Sequence, residues 1–165
     1  PMHRHGAWCS NTANDVLKIV VVNRYHPAPI AKAFIHRFGL TAGAIASSVA
    51  HDSHNIVAVG VDDESLARAI NLVIETKGGV SCVGPDVEQC LPLPIGGLMS
   101  ADDGYAVASA YTAIDKAAKS LGSTLSAPFM SLSFMALLVI PHVKLSDKGL
   151  FDGDGFGLIS SCSLH

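Results

Sequence analysis

Residues 16–23 read V-L-K-I-V-V-V-N, and this run constrains the fold more than any other. β-Branched side chains lose rotamer freedom in a helix but pack well on a pleated surface. The run therefore predicts a buried strand, and a buried strand needs a sheet with other layers packed on it. N-I-V-A-V-G at 55–60 predicts a second strand of the same kind. Directly after it, Asp62 and Asp63 supply an N-cap and negative charge for a helix. Leu66, Ile70, Val73 and Lys77 follow at helical spacing, with Ala69 and Ile74 beside them, and Gly78-Gly79 closes the helix.

The remaining segments fill in around these. Ala31 to Phe38 fits a short helix or a strand. Gly43 to Ala50 is small and apolar, and Val80 to Val83 is a short strand. Val87 to Leu93, with Pro92 and Pro94 alternating, reads as an edge or a polyproline-like segment. Ser100 and Asp103 resemble a capping box. They would open a helix running to about Leu121, with a stripe of Tyr105, Ala108, Tyr111, Ile114, Ala118 and Leu121 and a stop at Gly122. Phe129, Leu132, Met135 and Ala136 suit a third helix; Leu137 to Ile140 fits a following strand, with the boundary between the two left open. Gly149 to Leu158 is turn-like. The order of elements predicts an α+β fold (or α/β), with a single mixed β-sheet packed with two to four helices. The expected division is a lead-in at 1–15, one domain at 16–158 and a tail at 159–165.

Apolar residues make up 49% of the 165-residue chain and charged residues 15%. That composition supports a packed core and leaves apolar surface to set against a partner or another domain. Net charge is −3 and the basic residues are scattered singly, which argues against nucleic acid as a partner. No apolar stretch is long enough to span a bilayer: Phe129 to Val143 is broken by Ser131, Ser133, Pro141 and His142. Cys9, Cys82, Cys90 and Cys162 form no CxxC pair and read as reduced thiols of a cytoplasmic protein. A chain that opens on Pro1 reads as processed, as a fragment, or as carrying a tag remnant.

The densest polar cluster is His51-Asp52-Ser53-His54-Asn55, placed between a small-residue segment and a strand. Two imidazoles and a carboxylate are suited to relay protons, bind a metal or hydrogen-bond a heterocycle. Residues three apart face opposite sides of a strand, so His51 and His54 converge only where the backbone turns. As a bare pattern the plainer reading prevails, loop residues capping nearby backbone, because short H-x-x-H matches arise by chance. A structural metal site wants four ligands, and no Cys is close in sequence. His3-Arg4-His5 spells H-x-H, but no apolar strand precedes it. The H-x-E and P-C-x-x-C pattern of cytidine-type zinc deaminases is absent, as are a Walker A loop, G-x-G-x-x-G and G-x-S-x-G. In L-P-L-P-I-G-G-L-M-S at 91–100, Gly96 and Gly97 let the backbone approach another surface closely.

G-A-I-A-S-S-V-A-H-D-S-H-N-I-V-A-V-G at 43–60 resembles the signature of the adenine deaminase C-terminal domain. R-F-G-L at 37–40, K-G-G-V at 77–80, L-P-L-P-I-G-G-L-M-S at 91–100 and L-G-S at 121–123 are similar to it in order and spacing. So are P-F-M-S-L-S-F-M-A-L-L-V-I-P at 128–141 and L-S-D-K-G-L-F-D at 145–152. The resemblance covers roughly residues 16–155; Arg37 stands where it leads one to expect Gly.

The resemblance implies part of an amidohydrolase that converts adenine to hypoxanthine and ammonia. A separate barrel domain, absent from this chain, would hold manganese or iron, and this chain would hold no cofactor or metal of its own. The partners implied are that barrel in cis or in trans, adenine, and further copies in a homo-oligomer. His51, Asp52 and His54 become candidate catalytic residues. The same three, with Ser53, Asn55, Met99 and Ser100, become candidate contacts to the purine. Without the barrel's ligands the isolated chain is expected to be inactive. A stand-alone binding or regulatory module and an oligomerisation domain are the alternative readings.

Overall fold

The computed structural model describes residues 1–4 and 6–159. His5 of the H-x-H, Cys162 and the segment 160–165 lie outside the described residues. The fold is mixed α+β. The strands are β1 (Met2–Arg4), β2 (Ala7–Cys9), β3 (Val16–Val22), β4 (Ala31–His36), β5 (Ala44–Ser47), β6 (Ile56–Gly60), β7 (Gly79–Gly84), β8 (Val87–Pro92), β9 (Val143–Ser146), β10 (Gly149–Asp152) and β11 (Gly157–Leu158). The helices are α1 (Asp63–Glu75), α2 (Gly104–Ser120) and α3 (Pro128–Phe134).

Six strands form the central sheet in the order β4-β3-β6-β5-β7-β8, every pair antiparallel. The sequence-predicted strands at its centre are real, and the ambiguous Ala31–Phe38 segment is the edge strand β4. Side chains of the inner strands alternate between two cores, as a pleat requires. Leu17, Ile19, Val21, Ile45, Val57, Val59, Val80 and Cys82 point to one face, with α2 and α3. Val20, Ala44, Ala46, Ile56, Ala58 and Val83 point to the other, with α1. That second face is rich in alanine, so α1 lies close on it, and Ser81 Oγ donates to the Ala69 carbonyl at 2.7 Å.

Helix α1 links β6 to β7, which flank β5. Its N-cap is Asp62, whose carboxylate accepts from Ser65 N at 2.7 Å. The helix ends at Glu75, and Lys77, not Gly78, takes the first left-handed position (φ 59°), with Gly78 and Gly79 continuing the turn at positive φ. Lys18 on β3 pairs with Asp63 at the helix start, and Arg68 forms a two-pronged pair with Glu88 of β8.

Four local expectations need correction. Helix α2 is capped by Asp103, which accepts from Tyr105 N and Ala106 N, both at 3.1 Å. Ser100 is unavailable as a cap because its hydroxyl accepts from Asp102 N at 3.1 Å and donates to the Asp102 carboxylate at 2.7 Å. Leu137–Ile140 forms turns after α3, since Leu137 N bonds Phe134 O and Ile140 N bonds Leu137 O. The turn-like Gly149–Leu158 segment contains β10 and β11, which join β9 in a small antiparallel sheet. Strands β1 and β2 pair antiparallel, with Met2 opposite Cys9, although the sequence there carries no strand pattern.

Arg37 adopts φ 70°, in the left-handed region where glycine is at ease, which gives a physical meaning to the glycine expected there. Among the described residues no helix is long and apolar enough to cross a membrane. Cys9, Cys82 and Cys90 are free thiols, and burial pushes the Cys82 thiol up to about 12.

Candidate functional site

The segment joining β5 to β6 runs from Ser48 to Asn55 and does turn. His54 N donates to Ala50 O at 2.7 Å, closing a single turn of helical size, and His54 leaves it at φ 53°. This turn brings the two imidazoles edge to face, with ring centroids 5.5 Å apart. One end of the turn rests on α3: His51 N donates to Ser133 O at 3.1 Å, and the His51 ring lies 5.4 Å from that of Phe134.

The members of the cluster differ in environment. His51 is half-buried and stands at the rim of an apolar groove of about 580 Å³ between the sheet, α2 and α3. Val80, Leu91, Val107, Tyr111, Phe129 and Met130 line that groove. His54 is half-buried as well, and its Nδ1 is buried without a hydrogen-bond partner. Burial holds its pKa below the usual 6.5, helped by the charges of His51 and Arg24 and opposed by Asp52. Asp52 and Ser53 are exposed. Asn55 is buried, and its Oδ1 accepts from Arg24 N at 3.3 Å.

Met99 and Ser100 are not drawn into the histidine cluster. The backbone of Met99 closes a tight turn with Ile95, with Ile95 N to Met99 O at 3.0 Å and the reverse bond at 3.1 Å. The Met99 side chain is 57% exposed, and Ser100 bonds Asp102. Of the two glycines inside this turn, Gly97 makes the close approach expected, while a Cβ at Gly96 would meet nothing within 4 Å. Ser48 Oγ donates to Gly97 O at 2.6 Å and accepts from Gly79 N at 2.8 Å.

Sequence reasoning missed Arg24. Its Nε donates to His54 O at 2.6 Å and its Nη2 to Gly96 O, while the guanidinium lies 5.0 Å from the centre of the Tyr25 ring. The Tyr25 hydroxyl in turn donates to Ser53 O at 2.6 Å. The only advance signal was a lone Arg-Tyr pair directly after the Val16–Asn23 run. No motif marks Ser48 in the sequence, yet its hydroxyl ties the backbone of Gly79 to that of Gly97.

The arrangement offers two half-buried imidazoles, that of His54 held toward its neutral form, and an adjoining apolar groove. It is suited to hydrogen-bonding a flat heterocycle or passing a proton. Among the described residues no group of three or more His, Cys, Asp or Glu comes together to hold a metal.

Comparison with known proteins identifies the family. The family model described as "Adenine deaminase C-terminal domain" matches residues 1–157. The chain belongs to that family. It is 57% identical over 154 residues to an adenine deaminase of Sulfurovum sp. (strain NBC37-1), covering 93% of this chain and 29% of the relative. It is 55% identical over 147 residues to an adenine deaminase of Salinibacter ruber, covering 88% and 27%. An adenine deaminase of Methanosarcina barkeri is 48% identical over 159 residues, covering 96% and 29%. The chain therefore spans less than a third of the length of these adenine deaminases. The family match also takes in the paired strands β1 and β2, ahead of the stretch from which the resemblance was read.

Proposed function

We propose that this chain is the C-terminal part of an adenine deaminase, the hydrolase that releases ammonia from adenine, and that its His51–His54 turn faces the active site formed by the rest of that enzyme. On this reading the turn encloses the purine, orients it by hydrogen bonds to the ring edge, or carries a proton at the His51 imidazole. The observation that supports it best is where the uncovered apolar surface lies. His51 stands at the rim of the groove, and Tyr105, Tyr111 and Met130 are exposed beside it on α2 and α3, with Tyr105 88% accessible. Such surface calls for a partner. The portion of the parent polypeptide that makes up most of its relatives' length is the partner proposed, joined in cis or supplied in trans.

Manganese or iron, which the family resemblance implies, would be held in that other portion. The residues described here offer no such ligand set, and no step is assigned to them through a metal. The free thiols fit a cytoplasmic location.

The test is mutational and uses a complete adenine deaminase carrying this domain. His51→Ala and His54→Ala are each expected to lower steady-state adenine turnover by about 10²-fold or more, the scale of a lost acid–base or positioning group. Unchanged turnover in both variants would overturn the reading. The 165-residue chain by itself is expected to release no ammonia from adenine.

A further inference from the structure

Three segments distant in sequence meet at Arg24. Its guanidinium donates to the carbonyls of His54 and Gly96, and its backbone N–H donates to the buried Asn55 side chain. Tyr25 contributes on the same side, with its ring beside the guanidinium and its hydroxyl on Ser53 O. The opposing turn is shaped to admit the arginine: Gly97 has φ 78°, and a Cβ added there would lie 2.2 Å from Arg24 Nη1. A planar guanidinium can bridge two carbonyls that point at it from different loops, whereas an ammonium is a point charge without that fixed fork.

From this we infer that Arg24 is a positioning residue, locking the His51–Asn55 turn to the Ile95–Met99 turn so that the two present one rigid wall. The role deepens the reading of His51 and His54 as substrate-facing and rests on it. Arg24 itself touches no substrate in this scheme. It sets the direction of the His54 backbone, and through it the mutual orientation of the two imidazoles. It also supplies a positive charge that disfavours protonation of His54.

The test uses the isotopically labelled 165-residue chain and the variants Arg24→Gln and Arg24→Lys. Two readouts are taken. One is amide exchange at His54 and Met99, whose N–H groups bond Ala50 O and Ile95 O. The other is the NMR titration of the His54 ring. In Arg24→Gln, exchange at both amides is expected to quicken roughly tenfold or more, the effect of a lost charge-assisted hydrogen bond, and the His54 titration to move upward. In Arg24→Lys the charge is kept, so the titration stays near its original place while exchange at both amides remains fast. Amides of Val57 and Val59 report whether the core is intact; should Arg24→Gln fail to fold, Arg24→Lys carries the exchange test. Unchanged exchange in the folded variants overturns the inference, as does loosening confined to one of the two turns. These readouts do not involve adenine turnover. Failure of the His51 and His54 variants to alter turnover would remove the functional reading while leaving the lock to be judged by exchange.

Discussion

Helices α1 and α2 lie on opposite faces of one sheet and use their apolar residues differently. In α1, Leu66, Ala69, Ile70 and Val73 are all buried against the alanine-rich face. In α2 the buried residues are Ile114, Ala117 and Ala118, all in the second half of the helix. Its first half carries Tyr105, Ala106, Ala108, Ala110 and Tyr111, and nothing among the described residues fully covers them. Both helices show helical apolar spacing in the sequence, since Tyr105, Ala108 and Tyr111 continue the stripe that Ile114, Ala118 and Leu121 complete. The difference teaches that such a stripe identifies a face to be covered and does not say by what. On the α1 side the cover is the sheet itself. On the α2 side half the stripe is left over, and it lies beside the groove whose rim is His51.

The comparison can be broken most decisively through the buried halves. Leu66→Ala in α1 and Ile114→Ala in α2 are each expected to cost about 2–5 kcal/mol in urea unfolding of the isolated chain, because both side chains leave cavities in a closed core. A negligible loss from Ile114→Ala would mean that α2 is not anchored even by its second half.

A second measurement concerns the charge state of the turn between β5 and β6. His54 has its pKa depressed in the folded chain, so below the ordinary 6.5 the unfolded chain binds more protons than the folded one. The stability this contributes is present above pH 6.5 and is lost as pH falls through the lower folded value. Urea midpoints of the wild type are therefore expected to fall from pH 7 toward pH 5 more steeply than those of His54→Asn. Parallel profiles would show that His54 is not shielded as the geometry indicates.

The smallest effect sharpens the contrast by its absence. Tyr105→Ser removes a large apolar side chain, yet in this chain it is expected to change stability by no more than about 0.5 kcal/mol, as for an exposed site. In a complete adenine deaminase the same substitution is expected to loosen the domain's attachment, seen as faster proteolytic cleavage between the two portions. Equal cleavage of variant and wild type would separate the uncovered half of α2 from the docking surface.

How far the site was readable follows from the range of the interactions involved. His51 and His54 were found as a cluster, and the condition for their convergence was stated from backbone periodicity; the bond from His54 N to Ala50 O then met it. Met99 and Ser100 belong to the same family signature, but their described contacts are to Ile95 and Asp102. Arg24 was missed because nothing local marks an arginine whose partners are 30 and 72 positions away. Ser100 misled for a related reason: two acidic residues follow it, and which of several oxygens caps a helix depends on how the preceding loop arrives.

The sequence by itself determined the central strands, helix α1, the glycine that follows α2 and the adenine deaminase C-terminal family. Each of these rests on neighbours within four residues, or on the order of motifs along the chain, both of which are written in one dimension. Tertiary structure alone decided that β4 forms one edge of an all-antiparallel sheet, that Leu137–Ile140 turns while Gly149–Leu158 pairs, and that half of α2 is left uncovered. It also decided that Arg24 joins the HDSHN turn to the GGLM turn. The physical reason is common to all four. A strand edge, a bridged carbonyl and an exposed helix face are defined by what comes close in space, and long-range packing sets that in the folded chain.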